Sequence, residues 1–339
     1  MESKPNRAKP GFWPALALFF LAPAIGELLS GSAPPAEFFN PFSILILGAL
    51  YGSGALLVRE LRVRWNKGWA TVFALGAAYG IIEEGLMVKS FFDPNWMDLG
   101  LLGTYGRWMG VNWVWTLELT LYHAVFSIAI PILLIELFFP AQRQQPWLGR
   151  RSMIFISMLL LIDVAFGYLA LTTYRPPLPH YLLAMLVTYL LYRWARRLPA
   201  PTWQVNQDSE TKPVPATRNF ALLGFAATLA FFVCNWVLPN LGLPVPLTLA
   251  AVILLVVGLV GLLGSMSRRV GWSDAHRLAL AGGALSFFIL LAPLQELDQT
   301  RPDNTIGMAL VGLAFALLLA WLWRRVRTFA HRPLESTPA

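Results

Sequence analysis

Residues 70–90 read ATVFALGAAYGIIEEGLMVKS, and this stretch decides the fold. It is an apolar run of about the length that crosses a bilayer as a helix, roughly 20 residues. Inside it stand two adjacent carboxylates, Glu83 and Glu84. An ionised carboxylate at membrane depth costs at least about 2.5 kcal/mol, so two side by side need a reason beyond packing.

Working outward, the same kind of run recurs along the chain. Hydrophobic residues make up 57% and charged residues 13% of the sequence, which also holds 14 Trp, with a mean hydropathy of +0.58. That balance excludes an ordinary soluble domain. Ten apolar segments stand out, near 11–30, 43–58, 70–90, 113–139, 153–173, 178–194, 219–238, 246–265, 277–294 and 305–323. Backbone polar groups in hydrocarbon must be satisfied within each segment, so the spans are helices. The expected fold is an all-α, polytopic integral membrane protein of about ten transmembrane helices.

Charge placement checks that count. With the N-terminus in the cytoplasm, Lys89, Arg107, Arg175 and Arg301 are the only exceptions among the 26 basic residues to a cytoplasmic position. This is the positive-inside bias. It places both termini in the cytoplasm and predicts a multi-pass protein of the cell membrane. The net charge of +8 follows from topology, with the lipid bilayer as partner and no nucleic acid required. The first run, with Pro14, Pro23 and Glu27 inside it, reads as a retained helix rather than a cleaved signal. The single cysteine, Cys234, excludes an internal disulfide.

The chain divides at a polar, Pro-rich stretch, 198–218, read as a cytoplasmic linker. Residues 1–197 form a six-helix membrane domain that carries nearly all the buried ionisable groups. Residues 219–325 form an apolar four-helix module, and 326–339 a cytoplasmic tail. The outer loop 91–112, rich in Trp and Tyr, is expected either to fold as a short interfacial helix or to serve as an aromatic anchor.

Depth and helical faces nominate a site. At 1.5 Å per residue, Glu84 lies roughly 21 Å above the cytoplasmic end of its helix, and His123 and Asp163 at about 15 Å. His180 enters nearer the outer face, at about 25 Å. Gly76, Gly80 and Glu84 are four apart, a small-residue stripe that lets a neighbouring helix approach and ends in a carboxylate. Glu83 points about 100° away, so the two glutamates are expected to play different roles. Thr116, Thr120, His123 and Ser127 form a polar stripe on the fourth span, and His180, Ala184 and Thr188 a second on the sixth. The candidate site is thus Glu83, Glu84, His123 and His180, with Asp163, Thr120 and Ser127 as a secondary polar set. Glu84, His123 and His180 together have the donors to hold a divalent metal such as zinc. Glu27, Glu118 and Glu136 lie near span ends and are expected to be wetted, and Lys89 either to snorkel outward or to neutralise Glu83.

Paired glutamates followed by two histidines on later helices resemble the CAAX prenyl protease and bacteriocin-processing family of intramembrane proteases. That family's Glu-Glu motif continues to an Arg, where this chain has Val88 and then Lys89. Its Phe before the first His is Leu119 here, and its Asn or Asp after the second His is Ala184. The resemblance covers about residues 70–195. It implies a membrane-embedded hydrolase, or a catalytically decayed relative of one, acting on a peptide or membrane-protein substrate. It also implies that Glu84 or Glu83 activates water with the help of His123, and that His180 binds metal or steadies the oxyanion. No HExxH motif is present. Two other readings compete: a proton-coupled carrier or channel with Glu84, His123 and Asp163 as a relay, and a non-catalytic scaffold.

Overall fold

The computed structural model describes residues 11–200 and 212–330. Lys4, Arg7, Lys9 and Arg332, most of the expected linker and the end of the tail lie outside the described residues.

Among the described residues, nine helices are long and apolar enough to cross a membrane. They are α1 (Phe12–Leu29), α2 (Pro41–Arg64), α3 (Trp69–Met87), α4 (Trp113–Phe138), α5 (Arg150–Leu171), α7 (Thr217–Asn240), α8 (Val245–Met266), α9 (Asp274–Leu297) and α10 (Met308–Thr328). The remaining expected span is also a helix, α6 (Leu178–Arg197), of 20 residues. Its His180, Tyr189 and Arg193 make it less apolar than the other nine. The chain is an all-α, multi-pass membrane protein.

Burial ranks the helices. In α4 and α3, 78% and 72% of the most apolar window is buried, against 17% in α5 and 11% in α8. α3 and α4 therefore form the inner pair, while α5 and α8 present most of their surface outward to lipid. The close approach of α3 and α4 follows from the small-residue stripe. A Cβ on Gly76 would lie 2.9 Å from the Ala124 Cα, and one on Gly80 would lie 3.1 Å from the His123 Cβ. Around this pair α1 packs on α2 and α4, α6 packs on α3, and α9 and α10 pack on α1 and α4. Aromatic residues fill the seam between α4 and α9, where Phe126 and Phe288 meet edge to face at 5.0 Å.

Six wide π-turns interrupt the described helices: Ala24–Leu29, Gly48–Gly52, Ile82–Met87, His123–Ala129, Gly167–Leu171 and Val233–Val237. Such turns free backbone carbonyls and recur at functional sites. In the first of them, the Gly26 carbonyl accepts from Tyr122 Oη at 2.7 Å and from Ser30 Oγ at 2.9 Å.

The outer loop is not a short helix. It holds a single 3₁₀ turn, Gly100–Gly103, and a hairpin of β1 (Arg107–Trp108) and β2 (Val111–Asn112). Met109 and Gly110, both at positive φ, make the two-residue turn. Arg107 fastens the loop through Phe92 O at 2.8 Å, Asp93 O at 3.1 Å and Gly103 O at 3.2 Å. Four glycines within eleven residues favour this turn-rich path over a helix.

At the cytoplasmic end, Glu136 is buried rather than wetted. It pairs with Arg62 and with Arg59 Nε at 3.4 Å. Arg59 is wholly buried; it reaches Glu60 at 2.8 Å, the carbonyls of Gln145, Gln142 and Arg143 at 2.7, 3.1 and 3.0 Å, and stacks 3.5 Å over Trp147. This network clamps the α4–α5 connection onto α2.

Candidate functional site

The wide turn Ile82–Met87 carries Glu83 and Glu84, and the wide turn His123–Ala129 carries His123 and Ser127. Because the glycine stripe lets α3 and α4 touch, the imidazole sits between both carboxylates. His123 Nε2 is 3.0 Å from Glu84 Oε1, and Nδ1 is 3.3 Å from Glu83 Oε2. Nδ1 also shares a hydrogen bond with Ser127 Oγ at 2.9 Å. All three ionisable groups are buried. Though about 100° apart on a regular helix, the two glutamates meet one ring at different edges, because the widened turn and an imidazole with two nitrogens bring both to it.

Further side chains complete the centre. Ser90 Oγ donates to Glu84 Oε2, and Trp115 Nε1 donates to Ser90 Oγ at 3.0 Å. The hydroxyls of Tyr51 and Tyr79 border Glu83; Tyr79 makes no hydrogen bond of standard geometry. The rings of Tyr51, Tyr79 and Tyr122 surround the His123 imidazole at 5.9, 6.1 and 5.3 Å. Tyr51 Oη donates to Glu27 Oε1, so Glu27, half-buried, joins the interior network. Glu27 and Tyr51 sit in the first two wide turns. Four of the six wide turns thus supply the polar groups of one centre.

His180 does not join it. Its Nε2 donates to the Met109 carbonyl at 2.6 Å, its ring packs on Phe92, and it holds the tip of the outer hairpin against α6. The depth that separated it from His123 in the sequence separates it in space. Asp163 is buried, with Oδ2 free of hydrogen bonds, and stands within electrostatic reach of Glu83 without touching the triad. Thr120 lies at the α3–α4 contact beside Gly80, its hydroxyl unpartnered. Lys89 neither snorkels nor pairs with Glu83. It is buried, and its Nζ donates to Tyr168 O at 2.9 Å and lies 4.6 Å from the Tyr168 ring, capping the end of α5. Glu118 is also buried and accepts from Trp236 Nε1 at 2.9 Å.

Sequence reasoning passed over Glu27, Tyr51, Tyr79, Ser90 and Trp115. The depth rule applied to Glu27 gives roughly 22 Å above the start of α1, close to Glu84, and that signal was available. The tyrosines carried none, since Tyr in a span is usual at an interface.

The metal set is revised accordingly. Glu83, Glu84 and His123 each offer one ligand atom, and these atoms lie within 4.8 Å of one another. Glu83 Oε2 makes no hydrogen bond of standard geometry despite its burial, with His123 Nδ1 facing it at 3.3 Å. A buried carboxylate oxygen without a well-formed hydrogen bond, among oxygen and nitrogen donors, fits a divalent cation, and His180 is too far off to contribute.

The fold and this interior centre define the class: an α-helical, multi-pass integral membrane protein with ionisable groups joined inside the bilayer. A family model described as an uncharacterized membrane protein family matches residues 16–335, and the chain belongs to that family. The match replaces the resemblance to the CAAX prenyl protease and bacteriocin-processing family, which rested on a Glu-Glu pair and histidines without that family's Arg, Phe, and Asn or Asp. No curated protein and no solved structure matches the chain.

Proposed function

We propose that the chain is a membrane-embedded hydrolase in which Glu84 and His123 act on an amide or ester bond brought into the bilayer. The observation that carries this reading is the 3.0 Å contact between Glu84 Oε1 and His123 Nε2, buried and braced from both sides. Hydrolysis needs a base for water and a donor for the developing oxyanion. Ser90 holds one oxygen of Glu84 and leaves the other facing the imidazole. Ser127 and Glu83 fix the orientation of His123 from its far edge. Glu84 removes a proton from water as the water oxygen bonds to the carbonyl carbon. It then returns that proton to the departing nitrogen or oxygen, giving a carboxylic acid and an amine or alcohol. Once Glu84 has taken the water proton, the His123 Nε2–H turns from Glu84 Oε1 to the carbonyl oxygen as its charge builds, with the Tyr79 hydroxyl beside Glu83 nearby. Glu83, Glu84 and His123 are also the residues that would hold a divalent cation, which when bound would polarise the carbonyl and acidify water.

The test uses purified protein in lipid vesicles, offered acyl-anchored peptide and ester reporters, with and without chelator and with zinc restored. Cleavage by wild type that falls about 10²–10⁴-fold in Glu84→Gln, with folding intact, is the expected result. Wild type that cleaves no reporter in either state, while dissipating a proton gradient that Glu84→Gln preserves, would replace this reading with a proton carrier.

A further inference from the structure

A cavity of about 160 Å³ opens at the outer face, between the loop after α3 and the outer end of α7. That is the space of about five water molecules. Two indoles, Trp115 and Trp236, wall it, and Asp98, Asn235 and Asn240 supply its polar edges. Among the described residues, no basic side chain lines it.

Its polar groups are predominantly acceptors. Asn235 is 1% exposed and sits in the wide turn Val233–Val237. Its Nδ2 donates to Phe231 O at 2.9 Å, which fixes the amide and leaves Oδ1 without a hydrogen-bond partner. Trp236, the second wall, spends its N–H on Glu118, whose other oxygen is buried and also unpartnered. Asp98 stands exposed at the mouth, where partial desolvation and the charge of Glu84 push its carboxyl above the ordinary range and the Trp96 indole hydrogen-bonds to it. The nearby cation Arg301 is committed to Asp303 at 2.6 Å and to Gly31 O at 2.8 Å. Among the described residues, a buried acceptor with no donor, a carboxyl with no salt bridge and two indole rings share one lack, a positive group.

We propose that this cavity binds an organic ammonium group, seated between the Trp115 and Trp236 rings with its charge toward Asp98 and Asn235. Indole faces are the strongest aromatic partners for such cations. The cavity lies at the level of the outer loop, so the ammonium can come from a lipid headgroup or from a free small amine. Trp115 also touches the interior centre, through its bond to Ser90 and from there to Glu84. Binding does not depend on hydrolysis.

The experiment is calorimetric titration of the full chain in maltoside micelles with choline, and with 3,3-dimethylbutan-1-ol, its uncharged isostere. Saturable choline binding is expected, at least about tenfold tighter than the neutral alcohol. Asp98→Asn and Trp236→Leu are each expected to weaken choline about tenfold. Absence of saturable choline binding, or equal binding of the isostere by wild type, overturns the proposal even where a variant fails to fold. In vesicles of phosphatidylglycerol alone, free choline is expected to bind. If added phosphatidylcholine then blocks it, the headgroup is the natural source; if choline still binds, the source is a free amine.

Discussion

Gly80→Ala tests the α3–α4 contact without removing any polar atom. A Cβ at this position lies 3.1 Å from the His123 Cβ and 3.3 Å from the Thr120 Cα. Ordinary carbon–carbon contact is about 3.5–4.0 Å, so His123 must retreat by about 0.4–0.9 Å. Its bond to Glu84 starts at 3.0 Å, and hydrogen bonds of this type end near 3.2 Å. Even the smaller retreat therefore breaks the contact if it is directed along it. A misplacement near 1 Å costs about 10²-fold in rate, and overpacking costs about 1–3 kcal/mol of stability. The assay compares turnover of the vesicle reporters with the midpoint of thermal unfolding. Gly258→Ala on α8, where an added Cβ meets nothing within 4 Å, is the control and is expected to change neither. The expected outcome is a loss of about 10²-fold in turnover for a protein that remains folded. Wild-type turnover in Gly80→Ala would refute the claim that helix approach sets the geometry of the centre.

Other outcomes follow from the same structure. His180→Ala is expected to leave turnover and zinc binding within about twofold of wild type and to lower stability by about 1 kcal/mol, the value of one hairpin hydrogen bond; a hundredfold loss of turnover would return His180 to the site. Arg59→Met is expected to cost about 3–5 kcal/mol, read as loss of thermal stability in detergent, because three carbonyls and a share of two carboxylates lose a buried donor. Asp303 accepts from Arg301, which holds its carboxyl below the usual value of 3.8. The stability from this pair is therefore complete above that value and is lost as pH falls through the lower folded value. Asp303→Asn is expected to flatten the acid limb of a stability profile below pH 3.8 and to leave its slope at neutral pH unchanged.

The fold was legible because hydrocarbon imposes a simple rule: long apolar runs and asymmetric basic residues report spans directly. The contact of Glu84 with His123 was legible for a similar reason, since Gly76 and Gly80 mark where two helices meet and depth arithmetic places both groups in one layer. Three features were not legible. Wide turns rotate side chains off the regular helical wheel, so the offset of about 100° between Glu83 and Glu84 did not reveal that both meet one imidazole. Burial through tertiary pairing, as in Glu136 with Arg59 and Arg62, depends on partners more than seventy residues away. His180 had the residue type of a ligand, but its hairpin partner, Met109 O, is a backbone group that no side-chain motif records.

The central claim is that Glu84 and His123 work as one unit, and a double-mutant cycle on reporter turnover tests it most directly. Groups that act together are non-additive: losing either costs nearly as much as losing both. Glu84→Gln, His123→Ala and the double variant are therefore expected to show similar residual turnover, within about threefold of one another. Losses that multiply in the double variant, or a single variant that keeps wild-type turnover, would contradict the account.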